Sequence, residues 1–399
     1  MRILIITDSF KENLTSRKVC RAIHKGITSI LPDANINEIP FSDGGEGSLN
    51  VLADNFKGEF VICKTEDALG KKCSAKYFLF KDRKVAWIEL SQASGLAQIP
   101  PSKRNILKAS TYGTGLLIKD ALDKGCVEII LGVGGSASND GGAGIFEALG
   151  GKLLDNVGKK LSRGGASLNT LESIVPFSIS KKVKWKIACD VKNKLLGKNG
   201  SSVIFGPQKG ASPEDVKLLD KSLKRFSEVI KKHFNRSIDK LEGGGAAGGV
   251  AAGMHGFFNA SLQSGFFLLA KMTNLKSKIE RADLIFTAEG KIDKQSTKGK
   301  LTGSVANLAK KNNIPVIGLA GAIEGPYALM YKAGFSGIFS IQNEPMNINH
   351  SKENAEVLLT DTTERVLTLY MKNNKCISPS MTSDICSMIR LFFSRCYFN

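Results

Sequence analysis

Two textures alternate along the chain. Short apolar runs read as strands: RILIIT at 2–7, NINEIPF at 35–41, ADLIFTAEG at 282–290, IPVIGLAG at 314–321 and GFSGIFSI at 334–341. Between them lie segments with apolar residues spaced three and four apart, which read as amphipathic helices: SRKVCRAIHKGITSIL at 16–31, SLNVLADNF at 48–56 and LTGSVANLAKKN at 301–312. Thr15 or Ser16 is placed to cap the first helix. Strand–helix alternation of this kind predicts an α/β protein with a largely parallel sheet.

From about 60 to 280 the texture changes. Strands KYFLF, KVAWIEL, VEIILGV and KWKIACDV are separated by long glycine-rich loops and by the helix PEDVKLLDKSLKRFSEVIKKHF at 213–234. The two βα units at the start make too small a sheet alone. The economical arrangement is a Rossmann-like α/β domain built from both chain ends, 1–60 plus 281–375, with a mixed α/β domain inserted at 61–280. A ligand is then expected in a cleft, enclosed by loops from both parts. The last 24 residues, 376–399, are rich in Cys, Ser and Met and are expected to form an atypical, unpacked C-terminal extension; Cys396 has poor followers for prenylation.

Composition narrows the classes. Lys and Arg number 56 against 37 Asp and Glu, a formal charge of +19, but the basic residues are scattered in ones and twos, which argues against nucleic-acid binding. The eight cysteines include no C-x-x-C pair and the four histidines lie far apart, so zinc spacing is missing. The apolar run at Ile3–Ile6 is too short for a signal-peptide core, and no uncharged stretch has membrane-spanning length; the cytoplasm is the expected compartment.

Chemistry is expected in loops that follow strands, since open α/β sheets bind ligands beyond the carboxyl ends of their strands. GVGGSASNDGGAG at 132–144 contains G-x-G-x-x-A at 132–137, with Asp155 near the distance of a dinucleotide acid. Ser138 to Gly142 prolong the loop before its helix, so a phosphate cradle suits it better, with Gly134, Gly135, Ser136, Ser138 and Asn139 as contacts. Asp140 would repel bare phosphate unless a cation intervenes, which argues for magnesium. Carboxylates also stand at Asp8-Ser9-Phe10-Lys11, Ser42-Asp43-Gly44, Cys189-Asp190 and Glu289-Gly290-Lys291, each after a strand. Carboxylates, lysines, glycine loops and magnesium are what phosphoryl transfer from a nucleotide needs. Neither a Walker A motif nor a G-x-S-x-G elbow is present. For the Gly/Ala stretch at 243–253, close packing or a hinge stands beside a ligand role.

Seven motifs in order carry a resemblance: DSFKENL at 8–14, SDGGEGS at 42–48, GVGGSASNDGGAGIFEALG at 132–150, CDVKNKLLG at 189–197, FGPQKGAS at 205–212, GGGAAGGV at 243–250 and TAEGKIDKQSTKGK at 287–300. Through them the chain resembles the type 1 glycerate kinases, the family of bacterial glycerate 2-kinases, over roughly residues 1–372. The resemblance implies ATP-dependent, magnesium-dependent phosphorylation of D-glycerate, usually at the 2-hydroxyl, without a P-loop. Asp190 is the first choice of base, with Asp43 and Asp293 as alternatives in base or metal roles; Asp43 and Asp190 are the expected metal ligands. Lys11 and Lys209 are expected to neutralise carboxylate or phosphate, Lys209 with the nucleotide-binding set. Asp8, Ser9, Lys11, Glu289 and Gln295 are expected at the substrate. The sequence departs from the family at Ala288, Lys291, Lys194 and Ser296, where glycine, arginine, proline and threonine are usual. The rival readings are an NAD(P)-dependent oxidoreductase of a small hydroxy acid and an inactive family member; oligomeric state is open.

Overall fold

The computed structural model describes residues 1–10, 13–42, 47–178, 182–294, 296 and 301–376. Among them run β1 (Arg2–Thr7), β2 (Asn35–Pro40), β3 (Glu59–Glu66), β4 (Lys72–Phe80), β5 (Val85–Glu89), β6 (Glu128–Gly132), β7 (Lys152–Leu154), β8 (Ser173–Val175), β9 (Lys184–Ala188), β10 (Ser261–Gln263), β11 (Leu284–Ile292), β12 (Val316–Ile323) and β13 (Gly337–Ser340). The chain divides into two compact units, one formed by Met1–Pro40, Ser277–Lys298 and Thr302–Asn399, the other by Phe41–Lys276 with Gly299–Leu301.

The first unit holds a five-stranded sheet, order β13-β12-β11-β1-β2, parallel throughout. β1 is apolar and buried along Ile3–Thr7, as a strand with neighbours on both sides and helices on its faces must be. The two ends of the chain are joined here: β1 pairs with β11 at Ile3↔Leu284, and the Arg2 amide and guanidinium donate to Asp283 at 2.8 and 2.7 Å. The helix Ser16–Ile30 begins where its sequence predicts, with the Thr15 hydroxyl accepting from Lys18 N–H. It packs on the helix Ala355–Cys376 so closely that a Cβ on Gly26 would lie 2.6 Å from the Thr360 carbonyl oxygen.

The second unit has a six-stranded sheet, order β10-β9-β6-β5-β4-β3; β10, β9, β6 and β5 are parallel neighbours, while β4 pairs antiparallel with both β5 and β3. Its core joins Tyr77, Ile88, Leu131 and Ile187 from the sheet to Leu117 and Val250 from helices, and a second cluster seats the helix Pro213–Phe234 through Leu223, Phe226 and Ile230. The strands expected in this region are present. β3, β7, β8 and β10 have no counterpart in the periodicity reading: β3 is an edge strand whose apolar positions are half exposed, and the others are three residues long. The chain passes into the second unit after Pro40 and not near residue 60, because the helix Ser48–Asn55 is anchored there. The Ser48 hydroxyl and Leu49 N–H donate to Glu89 at 2.8 and 2.9 Å, and Trp87 Nε1 donates to the Ser48 hydroxyl at 2.8 Å. No helix among the described residues is long and apolar enough to cross a membrane. Residues 377–399, most of the expected extension, lie outside the described residues.

Candidate active site

Because β5, β6, β9 and β10 are parallel neighbours, their carboxyl ends lie along one edge of the second unit's sheet. That edge gathers Glu89, the loop 133–142, Asp190 and Ser264, each at or just beyond a strand's last residue. The loop is stitched to the segment after β5: Leu96 N–H donates to the Gly135 carbonyl at 2.8 Å, and Ala137 N–H donates to the Ser94 carbonyl at 2.9 Å. Gly135 takes φ of +69°, and Gly141 and Gly142 take +60° and +77° before the helix Ala143–Ala148, conformations that cost a side-chain-bearing residue energy. From Gly132 to Ala148 only Gly134 and Gly135 reach solvent appreciably. Among the described residues their N–H groups have no protein acceptor.

Asp140 has a different job from facing a cation. It is wholly buried; its Oδ2 accepts from Thr111 N–H (2.7 Å), the Thr111 hydroxyl (2.9 Å) and Gly144 N–H (3.2 Å), and its Oδ1 accepts from Gly142 N–H at 3.2 Å. Four donors satisfy both oxygens of the carboxylate and tie the loop to the start of the helix Tyr112–Asp123. Asp155, the would-be dinucleotide acid, instead closes its own turn after β7 by accepting from Val157 and Lys159 N–H at 3.0 and 2.8 Å. With the helix beginning only at Ala143, the fingerprint geometry is not met.

Lys209 lies on the single turn Pro207–Lys209 and is 2% exposed. Its Nζ donates to the Ser136 hydroxyl and to the Ser138 carbonyl, both at 2.7 Å. Burial drives its pKa down to about 7, with the Asp140 charge pulling the other way. Asn139 Nδ2 donates to the Ser202 hydroxyl at 3.0 Å, while Asn139 Oδ1 and Ser138 Oγ, both wholly buried, have no partner among the described residues.

The second glycine stretch exists for the sake of the first. In the helix Ala246–Phe258, residues Ala247, Gly248 and Gly249 have left-handed backbone, and the Gly248 carbonyl accepts from Gly141 N–H at 3.0 Å. A Cβ on Gly248 would stand 2.1 Å from the Ser138 carbonyl oxygen, and one on Gly253 would stand 1.8 Å from that of Gly141. Backbone here touches backbone, which only glycine permits.

Asp190 is exposed at the end of β9. The Ser264 hydroxyl donates to its Oδ1 at 2.5 Å and Gly265 N–H to its Oδ2 at 3.2 Å, so the carboxylate sits against the amino end of the helix Gly265–Met272. Next to it, burial pushes the Cys189 thiol up to about 11.

In the first unit, Asp8 follows β1 with its N–H donating to the Ala288 carbonyl (2.9 Å), and Ser9 N–H donates to Asp8 Oδ1 at 2.7 Å. Glu289, 8% exposed on β11, accepts from the buried Thr302 hydroxyl at 2.6 Å. Asp293 accepts from Ser296 N–H at 3.1 Å and so shapes its own turn. Lys291, where the family has arginine, pairs with Glu324 on the surface. Lys11, Asp43 and Gln295 lie outside the described residues. Sequence reasoning missed Glu89, Ser264 and Thr302. For Glu89 the signal was there: a carboxylate ending the otherwise apolar VAWIE, and 2% exposed. Among the described residues no three His, Cys, Asp or Glu side chains converge as a metal cage.

The model of the glycerate kinase family matches residues 3–371. The chain is 42% identical to glycerate 2-kinase of Escherichia coli K12 over 344 residues, 86% of this chain and 90% of that one. It is 41% identical to glycerate kinase of Halalkalibacterium halodurans over 360 residues, 90% of this chain and 95% of that one. A crystal structure assigned to glycerate kinase 2 from Salmonella typhimurium LT2 superposes with a TM-score of 0.82 at 39% identity, covering 94% of this chain and 99% of the other. With sequence, fold and motif order in agreement over nearly the whole length, this chain belongs to the glycerate kinase family.

Proposed function

We propose that the protein transfers the γ-phosphoryl group of ATP to D-glycerate, at the 2-hydroxyl, with magnesium as the counter-charge. The observation that carries this reading is the pair of solvent-reaching amides at Gly134 and Gly135 with no acceptor among the described residues, at the carboxyl edge of parallel strands, in a member of the glycerate kinase family. Backbone N–H groups held by a rigid loop suit phosphate oxygens. The donor set fits a magnesium ion that arrives with the nucleotide: magnesium takes one or two carboxylates plus phosphate oxygens and needs no protein cage. Asp190, Asp43 and Asp293 are the carboxylates assigned to that ion or to the base. Bound there, the metal would offset charge on the phosphate oxygens.

Asp190 is assigned the proton. Hydrogen bonds from Ser264 and Gly265 hold the carboxylate in place, leaving it able to accept the hydroxyl proton as the alkoxide oxygen bonds to phosphorus and ADP departs. Asp8, Ser9, Lys11, Glu289 and Gln295 are assigned to glycerate. Lys209 acts on the loop and not on the phosphate directly, because its two 2.7 Å bonds are to Ser136 and Ser138. Phosphorus NMR of the mixture of protein, Mg-ATP and D-glycerate tests the proposal. The 2-phosphoglycerate resonance is expected beside ADP. The 3-phospho isomer would overturn the regiochemistry alone, and unchanged ATP would overturn the activity.

A further inference from the structure

Lys209 is an amine-bearing side chain sealed under the loop with a hydroxyl and a carbonyl as its hydrogen-bond partners and no ion pair among the described residues. Burying such a group unpaired is costly, so its presence needs a reason. The surroundings are poor in charge. Asp140 is the carboxylate whose field reaches it, and Arg104, whose Nη1 donates to the Gln208 carbonyl at 3.1 Å, is the cation on the neighbouring segment. Of the adjoining helices, Ser201–Phe205 carries no charged residue and Ala246–Phe258 only His255.

A neutral amine has two N–H groups, enough for the Ser136 hydroxyl and the Ser138 carbonyl; an ammonium brings a third. Ser136 adjoins Gly135, one of the two residues at which a polyanion would be held, so a ligand there adds negative charge close to the amine.

We infer that Lys209 is a positioning residue whose amine supports the loop through Ser136 and Ser138 and takes up a proton when a polyphosphate occupies the Gly134–Gly135 stretch. The inference rests on the proposed assignment of that stretch to the nucleotide. The loop is then braced by a neutral group while empty and by a cation once loaded, and nucleotide affinity rises as pH falls toward 7. Placing the titration midpoint at about 7 leaves most of the amine unprotonated at pH 7.5, so loading should consume about half a proton or more.

The test is calorimetric titration of the full chain with MgADP at pH 7.5, in buffers of widely different ionisation enthalpy. The slope of binding enthalpy against buffer enthalpy counts protons. In the unaltered protein it should exceed, by about half a proton or more, the slope for Lys209→Met and for Lys209→Arg, which cannot titrate near pH 7. The arginine variant guards against a failure of the methionine variant to fold. Equal slopes with binding intact would overturn the inference and leave the nucleotide assignment standing. No binding to the unaltered protein would overturn both.

Discussion

Replacing Asp140 separates a carboxylate that braces a loop from one that faces a metal. The side chain is wholly buried and receives three backbone N–H groups and one hydroxyl at 2.7–3.2 Å. In Asp140→Ala all four donors lose their acceptor where water has no access. Each orphaned donor costs about 1–3 kcal/mol, and because the four share one network their costs do not simply add, which gives about 3–6 kcal/mol. In Asp140→Asn the amide oxygen replaces Oδ2, but the NH2 then faces the N–H of Gly142, a single donor clash of about 2–3 kcal/mol. The two tryptophans, Trp87 and Trp185, both lie in the second unit, so their fluorescence during urea denaturation follows that unit by itself. The midpoint should fall with little change in slope, Ala further than Asn. If both variants unfold within about 0.5 kcal/mol of the unaltered protein while activity requires more magnesium, the bracing argument is wrong and Asp140 is a metal-facing group after all.

Three further outcomes are expected. Asp190→Asn should lower kcat by about two orders of magnitude or more, with the fluorescence midpoint nearly unchanged, since a general base is worth about 10²–10⁴ in rate; near-normal turnover removes Asp190 from the base role. Gly248→Ala should displace the loop through its 2.1 Å approach to the Ser138 carbonyl, raising KM for ATP more than KM for glycerate; equal effects on both would show general loosening. Lys209 is a lysine whose folded pKa lies below its unfolded value of about 10.4, so the unfolded chain binds more protons between the two values and stability must rise with pH across that window. The difference in urea midpoint between the unaltered protein and Lys209→Met should therefore grow in favour of the unaltered protein from pH 7 to 10, and a flat difference would contradict a depressed pKa.

How far the sequence discloses all this depends on the range of the interaction. Strands such as RILIIT and the capped helix after Thr15 are set by neighbours within a few residues, so periodicity and capping residues reveal them. The three-residue strands and the edge strand β3 are set by what they pair with, which no local pattern records. The same division runs through the candidate site. The strand-end loops were visible as glycine beside carboxylate, yet the duties within them were not, because the partners are distant: Thr111 lies 29 residues from Asp140, and Ser136 lies 73 from Lys209. A glycine loop that grips a ligand and one that is itself gripped use the same residue types, since each needs amides, hydroxyls and a counter-charge. Burial tells them apart. Asp140, Ser138, Asn139 and Lys209 face inward and hold the loop, which leaves Gly134 and Gly135, residues with no side chain, to meet what binds. A site of that design tolerates few changes beneath the loop, and the phosphate contact proposed for it would be made by backbone that no substitution at Ser138 or Asn139 would directly remove.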